Sequence, residues 1–97
     1  MIVSMHPAAD AELVEGARHY ALNAGRSVAE DFIYEFDHAI SVLRQQPQLG
    51  ARWRGPLRRY PLRRFPFSLV YYEAGARLRV VAIAHQRREP GYWQGRV

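Results

Sequence analysis

The chain has 97 residues, 48% of them apolar, no cysteine and a formal net charge of +5. A chain this short holds one hydrophobic core; its apolar content argues against disorder, and the lack of cysteine excludes disulfides and thiolate metal sites and suits a reducing compartment. No apolar run approaches the roughly 18 residues of a membrane span, and Met1-Ile2-Val3-Ser4-Met5 carries no signal pattern, so a single cytoplasmic domain over residues 1–97 is expected.

The charge is divided along the chain. Residues 1–50 carry three arginines against seven carboxylates, and residues 51–97 carry eleven arginines against two carboxylates. All fourteen basic residues are arginine. Such a basic half is an electrostatic footprint for a phosphate backbone or an acidic protein partner.

In chain order, Ile2–Met5 is short and apolar and reads as a first strand. Pro7 suits the first turn of a helix, where its missing N–H costs nothing. Ala9, Leu13, Ala17, Tyr20 and Ala21 then recur at helical spacing, leaving Asp10, Glu12, Glu15 and His19 for the outer surface. Asn23 and Gly25 offer a stop. Ser27-Val28-Ala29-Glu30 reads as a capping box for a second helix, whose apolar stripe is Ala29, Phe32, Ile33, Phe36, Ile40 and Leu43 and which Pro47 ends. The short connection makes the pair an antiparallel hairpin.

After residue 48 the period becomes alternating. Gln48–Pro56 reads as a loop, and Leu57–Leu62 as an edge or bulged strand because of Pro61. Phe67–Glu73 is a strand, Glu73-Ala74-Gly75-Ala76 a turn, and Leu78–His85 a strand apolar on both faces from Val80 to Ala84, hence central. Alternation puts His85 on the face of Val81 and Ile83, and the chain turns again at Pro90-Gly91. The order β-α-α-β-β-β gives a two-layer α+β domain, a helix hairpin packed on a mainly antiparallel sheet, with Ile2–Met5 returning beside Leu78–His85.

Four segments in this order carry a resemblance. They are the first strand with Pro7-Ala8-Ala9-Asp10-Ala11-Glu12-Leu13; Ala39 to Pro47; Arg64-Phe65-Pro66-Phe67-Ser68-Leu69-Val70-Tyr71-Tyr72; and Leu78 to His85 followed by Gln86-Arg87-Arg88-Glu89-Pro90-Gly91-Tyr92-Trp93. Over essentially its whole length the chain resembles the RelE/ParE superfamily of toxins from type II toxin–antitoxin systems, the plasmid-stabilisation type. The resemblance implies the same β-α-α-β-β-β fold, growth inhibition, and an acidic antitoxin as protein partner. It leaves two activities open. ParE-like members poison DNA gyrase without being enzymes, whereas RelE-like members are ribosome-dependent endonucleases that cut mRNA.

The nuclease reading needs a general base, cations for the developing phosphorane charge, and a leaving-group acid. By resemblance His85, Arg87 and Tyr92 are its catalytic candidates, with Trp93 nearer the tyrosine's spacing. Ser68 stands where the first arginine belongs, so a cation would have to come from Arg58, Arg59, Arg63 or Arg64. The histidine followed two residues later by arginine, His85 and Arg87, favours the ParE-like branch. On either reading Arg58, Arg59, Arg63, Arg64, Arg87, Arg88 and Trp93 are the expected target-binding residues. Trp53, flanked by Arg52 and Arg54, suits either base stacking or filling a gap under its loop. His6, His19 and His38 lack metal-ligand spacing, and no metal or cofactor is expected. A basic binding module without toxicity is the alternative that composition alone permits.

Overall fold

The computed structural model describes residues 1–88 and 91–96. Its elements are β1 (Ile2–Met5), α1 (Pro7–Asn23), α2 (Arg26–Gln45), β2 (Ala51–Arg52), β3 (Arg58–Pro61), β4 (Phe67–Ala74), β5 (Arg77–His85) and a 3₁₀ turn, Gln94–Arg96. The sheet order is β1-β5-β4-β3-β2. β1 runs parallel to β5, from Ile2 opposite Arg77 to Met5 opposite Val80, and the remaining pairs are antiparallel. The two-layer α+β domain with a central β5 flanked by β1 is therefore present. The expected loop Gln48–Pro56 also contains the two-residue β2. The turn expected at Pro90-Gly91 lies outside the described residues at Pro90.

Pro7 opens α1, and His6 caps it: its Nδ1 accepts from the Ala8 N–H at 3.0 Å. The start of α2 differs from the expected capping box. Gly25, at φ 101°, is the cap residue, the helix begins at Arg26, and no side chain caps it. Glu30 instead faces Arg26 across an exposed 3.4 Å ion pair. A left-handed glycine at the junction lets the chain reverse sharply, so α2 starts before Ser27 is reached.

The helix side of the sheet holds the larger core. Phe32, Phe36, Ala39 and Leu43 of α2 and Ala9 of α1 pack on Leu69, Tyr71, Leu78, Val80 and Ile83. Tyr20, Phe32, Phe65 and Phe67 form an edge-on and tilted aromatic group, with Phe32 and Phe67 centroids 5.0 Å apart. Gly16 is buried here, and a Cβ at that position would lie 2.9 Å from the Phe32 ring, so the close approach requires glycine. Small residues on α1 thus bring it close to α2, while Ala21 is exposed. The Tyr71 hydroxyl donates to the Pro47 carbonyl at 2.8 Å and accepts from the Gly50 N–H at 2.9 Å. That pins the segment leaving α2 to the sheet.

A second, smaller core covers the opposite face of the sheet: Leu57, Val70, Val81, Ala82, Ala84 and Trp93, with Trp53, Tyr72 and Tyr92 at its margin. β5, which contributes to both cores, carries a bulge in its middle. Val70 pairs with Ala82 but Tyr71 pairs with Val80, so Val81 is the extra residue. Val80 and Ile83 then belong to the helix-side core while Val81 and Ala82 belong to the other. Simple alternation is thereby corrected: His85 follows Ile83, and Val81 is on the opposite face.

Candidate functional site

β1 stops opposite Val80, and beyond that point side chains take up backbone groups of β5. The Ile83 N–H donates to Glu12 Oε1 at 3.0 Å, and the Val81 carbonyl accepts from Arg96 at 3.1 Å. Glu12 also takes the Tyr92 hydroxyl on Oε2 at 2.9 Å and both terminal nitrogens of Arg96, at 3.0 and 3.1 Å. One carboxylate of α1 therefore ties the centre of the sheet to the segment after β5. The expectation that Glu12 lies on the outer surface is overturned; its side chain is 19% exposed, like that of Arg96. Helical periodicity alone treats a carboxylate beside an apolar stripe as solvated, and it does not show the backbone N–H of a distant strand that this one takes. Burial, and then the hydrogen bond to Glu12, push the Tyr92 phenol up to about 12.

Two depressions flank the end of β5. On the helix-free face a groove of about 520 Å³ is lined by Ala51, Arg59, Pro61, Ser68, Ala84, His85, Gln86, Arg88 and Trp93. On the helix side a cleft of about 340 Å³ lies between α1 and the sheet, with Glu12, Glu15, His19, Tyr20, Phe67, His85, Arg88 and Tyr92 among its walls. His85 and Arg88 border both.

The structure sorts the expected site residues. Arg59, Arg88, Trp93 and His85 meet at the groove, and Arg59 stands on the strand beside Ser68. Arg87 is exposed at the turn after β5. Arg63 is exposed in the loop after β3; Arg64, at φ 69°, reaches Asp31 of α2 at 3.3 Å. Arg58 is half-buried and tied to the backbone: its guanidinium donates to the Gln48 and Gly50 carbonyls at 3.0 and 2.9 Å. Trp93, at 2% exposure, belongs to the second core, with Trp53 and Tyr92 against it at 5.3 and 5.1 Å. Both residues therefore act as supports for this surface in the free chain. Trp53 is likewise a packing residue, half-buried, with Arg54 4.8 Å above its ring.

His85 and Tyr92 line the helix-side cleft, and each makes a hydrogen bond within the fold. His85 Nδ1 accepts the Arg87 backbone N–H at 3.0 Å, and its ring stands edge-on to Phe67 at 5.0 Å. In the neutral ring that bond leaves the proton on Nε2, so the one lone pair of a base is already engaged. The Tyr92 hydroxyl is bound to Glu12, and Arg88 covers its ring at 4.1 Å.

Comparison with known proteins brings three results. The family model for the ParE toxin of type II toxin–antitoxin systems, parDE, matches residues 3–90. No curated protein matches. A solved structure described as the chromosomal ParDE toxin–antitoxin system from P. aeruginosa superposes with a TM-score of 0.77 at 23% identity, covering 88% of this chain and 95% of the other. At that identity the likeness is one of fold.

Proposed function

We propose that this chain, which belongs to the ParE toxin family of type II toxin–antitoxin systems, arrests growth by binding DNA gyrase and performs no chemistry on it. The family implies an antitoxin as its protein partner. The observation that carries the non-enzymatic reading is the state of His85 and Tyr92. The His85 Nδ1 accepts a backbone N–H and the Tyr92 hydroxyl donates to Glu12, and by the family resemblance Ser68 stands where an mRNA nuclease would carry an arginine. What remains available is charge. Arg59, Arg63, Arg87 and Arg88 are exposed around the end of the sheet, where they offer several kT of attractive potential to an acidic surface.

Induced expression tests this reading. Growth should stop with DNA breaks and an SOS response, and total mRNA should stay intact. Arg87→Ala should abolish the arrest while leaving melting nearly unchanged, because an exposed arginine contributes little to stability. Specific mRNA cleavage that falls about 100-fold in His85→Ala would assign the chain to the nuclease branch instead. Unaffected growth would leave a binding module.

A further inference from the structure

The wall of the helix-free groove contains an unmet donor. Trp93 is 2% exposed, and its Nε1–H has no hydrogen-bond partner among the described residues. Buried N–H groups in folded proteins are nearly always paired, since leaving one unpaired costs about 1–3 kcal/mol. Around the same groove stand the Arg59 and Arg88 side chains, both exposed and neither in an ion pair among the described residues, and the hydroxyl of buried Ser68. With His85 and Gln86, six donor-bearing side chains line it, and its remaining walls, Ala51, Pro61 and Ala84, are small and apolar.

We propose that this groove is a carboxylate-binding site whose occupant is an Asp or Glu side chain of the antitoxin. The existence of that partner rests on the family membership above; the site rests on the groove. A carboxylate is acceptor-only and planar, so its two oxygens can take the indole N–H and a guanidinium together. The apolar walls suit the short aliphatic stem that carries it. The rim can open, because Gln86 and Arg88 are exposed side chains. A nucleic acid fits less well. Stacking of bases needs an open aromatic face, and the Trp93 ring is enclosed between Trp53 and Tyr92 while Arg88 lies over Tyr92.

The indole N–H signals of a ¹⁵N-labelled chain test the site directly. Trp53 and Trp93 are the two tryptophans, and Trp53→Phe assigns their signals. Titration with a hexaglutamate peptide should move the Trp93 signal downfield and saturate, with hexathymidylate having little effect. Arg59→Ala should weaken peptide binding about 10-fold, the scale of one charge-assisted hydrogen bond. Arg77→Ala removes the same charge at the far end of β5 and should change it less than about 2-fold. A Trp93 signal that the peptide leaves in place overturns the proposal. So does a larger response to the oligonucleotide, or an equal loss in the Arg77 and Arg59 variants, which would mean a diffuse field without a site. Growth arrest is read separately, so either reading can fail alone.

Discussion

On the helix side of the sheet, Phe32 is fully buried among Tyr20, Phe65 and Phe67 beneath two helices of 17 and 20 residues. On the other side Trp93 lies over Val70, Val81, Ala82 and Ala84, carried by the short segment 91–96. The first core is held chiefly by apolar area, with the Tyr71 hydroxyl bonded to Pro47 and Gly50 at its edge. The second is held by area and by one carboxylate, Glu12, which reaches it from the acidic half of the chain. The thick side therefore rests on burial, while the thin side depends on the bonds Glu12 makes to the segment that carries Tyr92, Trp93 and Arg96.

The largest effect should come from the thick side. Phe32→Ala empties the middle of the aromatic group and should cost about 3–5 kcal/mol, a large share of the roughly 5–15 kcal/mol of a domain this size. Denaturant melts measure it, and a loss below about 1 kcal/mol would mean that burial does not carry the helix side. Glu12→Ala should cost about 2–3 kcal/mol, less than a fully buried pair because Glu12 and Arg96 are each 19% exposed. Its signature should be local. Tryptophan emission should shift to the red before the main unfolding transition, as Trp93 loses its cover. Coincident transitions would show the two faces to be one cooperative unit.

Most of the thick side was legible in the sequence. Phe32, Phe36 and Leu43 stand at helical spacing and are buried, and Val80 to Ala84, apolar in every position, marked the central strand. The position of β1 followed from the need of that strand for two neighbours. The thin side was only partly legible. Tyr92 and Trp93 read as site residues although Trp93 packs on the sheet, and nothing in the sequence announces the bulge at Val81 or the turn of Glu12 toward the Ile83 N–H. The arginine cluster was visible as composition, while its division was not: Arg58 holds backbone carbonyls and Arg59, its neighbour, faces the groove. Alternation assigns two neighbours to opposite faces but does not say which face is occupied by a loop.

Alkaline pH offers a finer test of the thin side. The Tyr92 phenol is pushed up to about 12, chiefly by burial, and burial also raises Tyr20 and Tyr71. A phenol whose folded value lies above its unfolded value of about 10 stabilises the neutral, folded form below pH 10. That contribution declines as the unfolded chain begins to ionise and is gone once pH passes about 12. Stability of the wild-type chain should therefore fall between pH 10 and pH 11.5, and Tyr92→Phe should remove about 1 kcal/mol of that fall. An identical slope in both chains would place the Tyr92 hydroxyl in solvent, detached from Glu12.

The smallest effect concerns the start of α2, and it asks whether the helix side needs anything besides burial. A serine that caps a helix is worth about 1 kcal/mol, and Ser27-Val28-Ala29-Glu30 has the sequence of such a cap. Here Ser27 is exposed in the first turn, one residue inside the helix, and the cap position belongs to Gly25 with no side-chain bond. Ser27→Ala should therefore change stability by less than about 0.5 kcal/mol, as exposed substitutions do. Gly25→Ala should be the more damaging of the two, although it adds only a methyl group into open space, because φ 101° is costly for any residue with a Cβ. Melting both variants beside the wild type decides the point. If Ser27→Ala proved the worse, the capping box would be the true start of α2 and part of the helix-side stability would reside in its first turn.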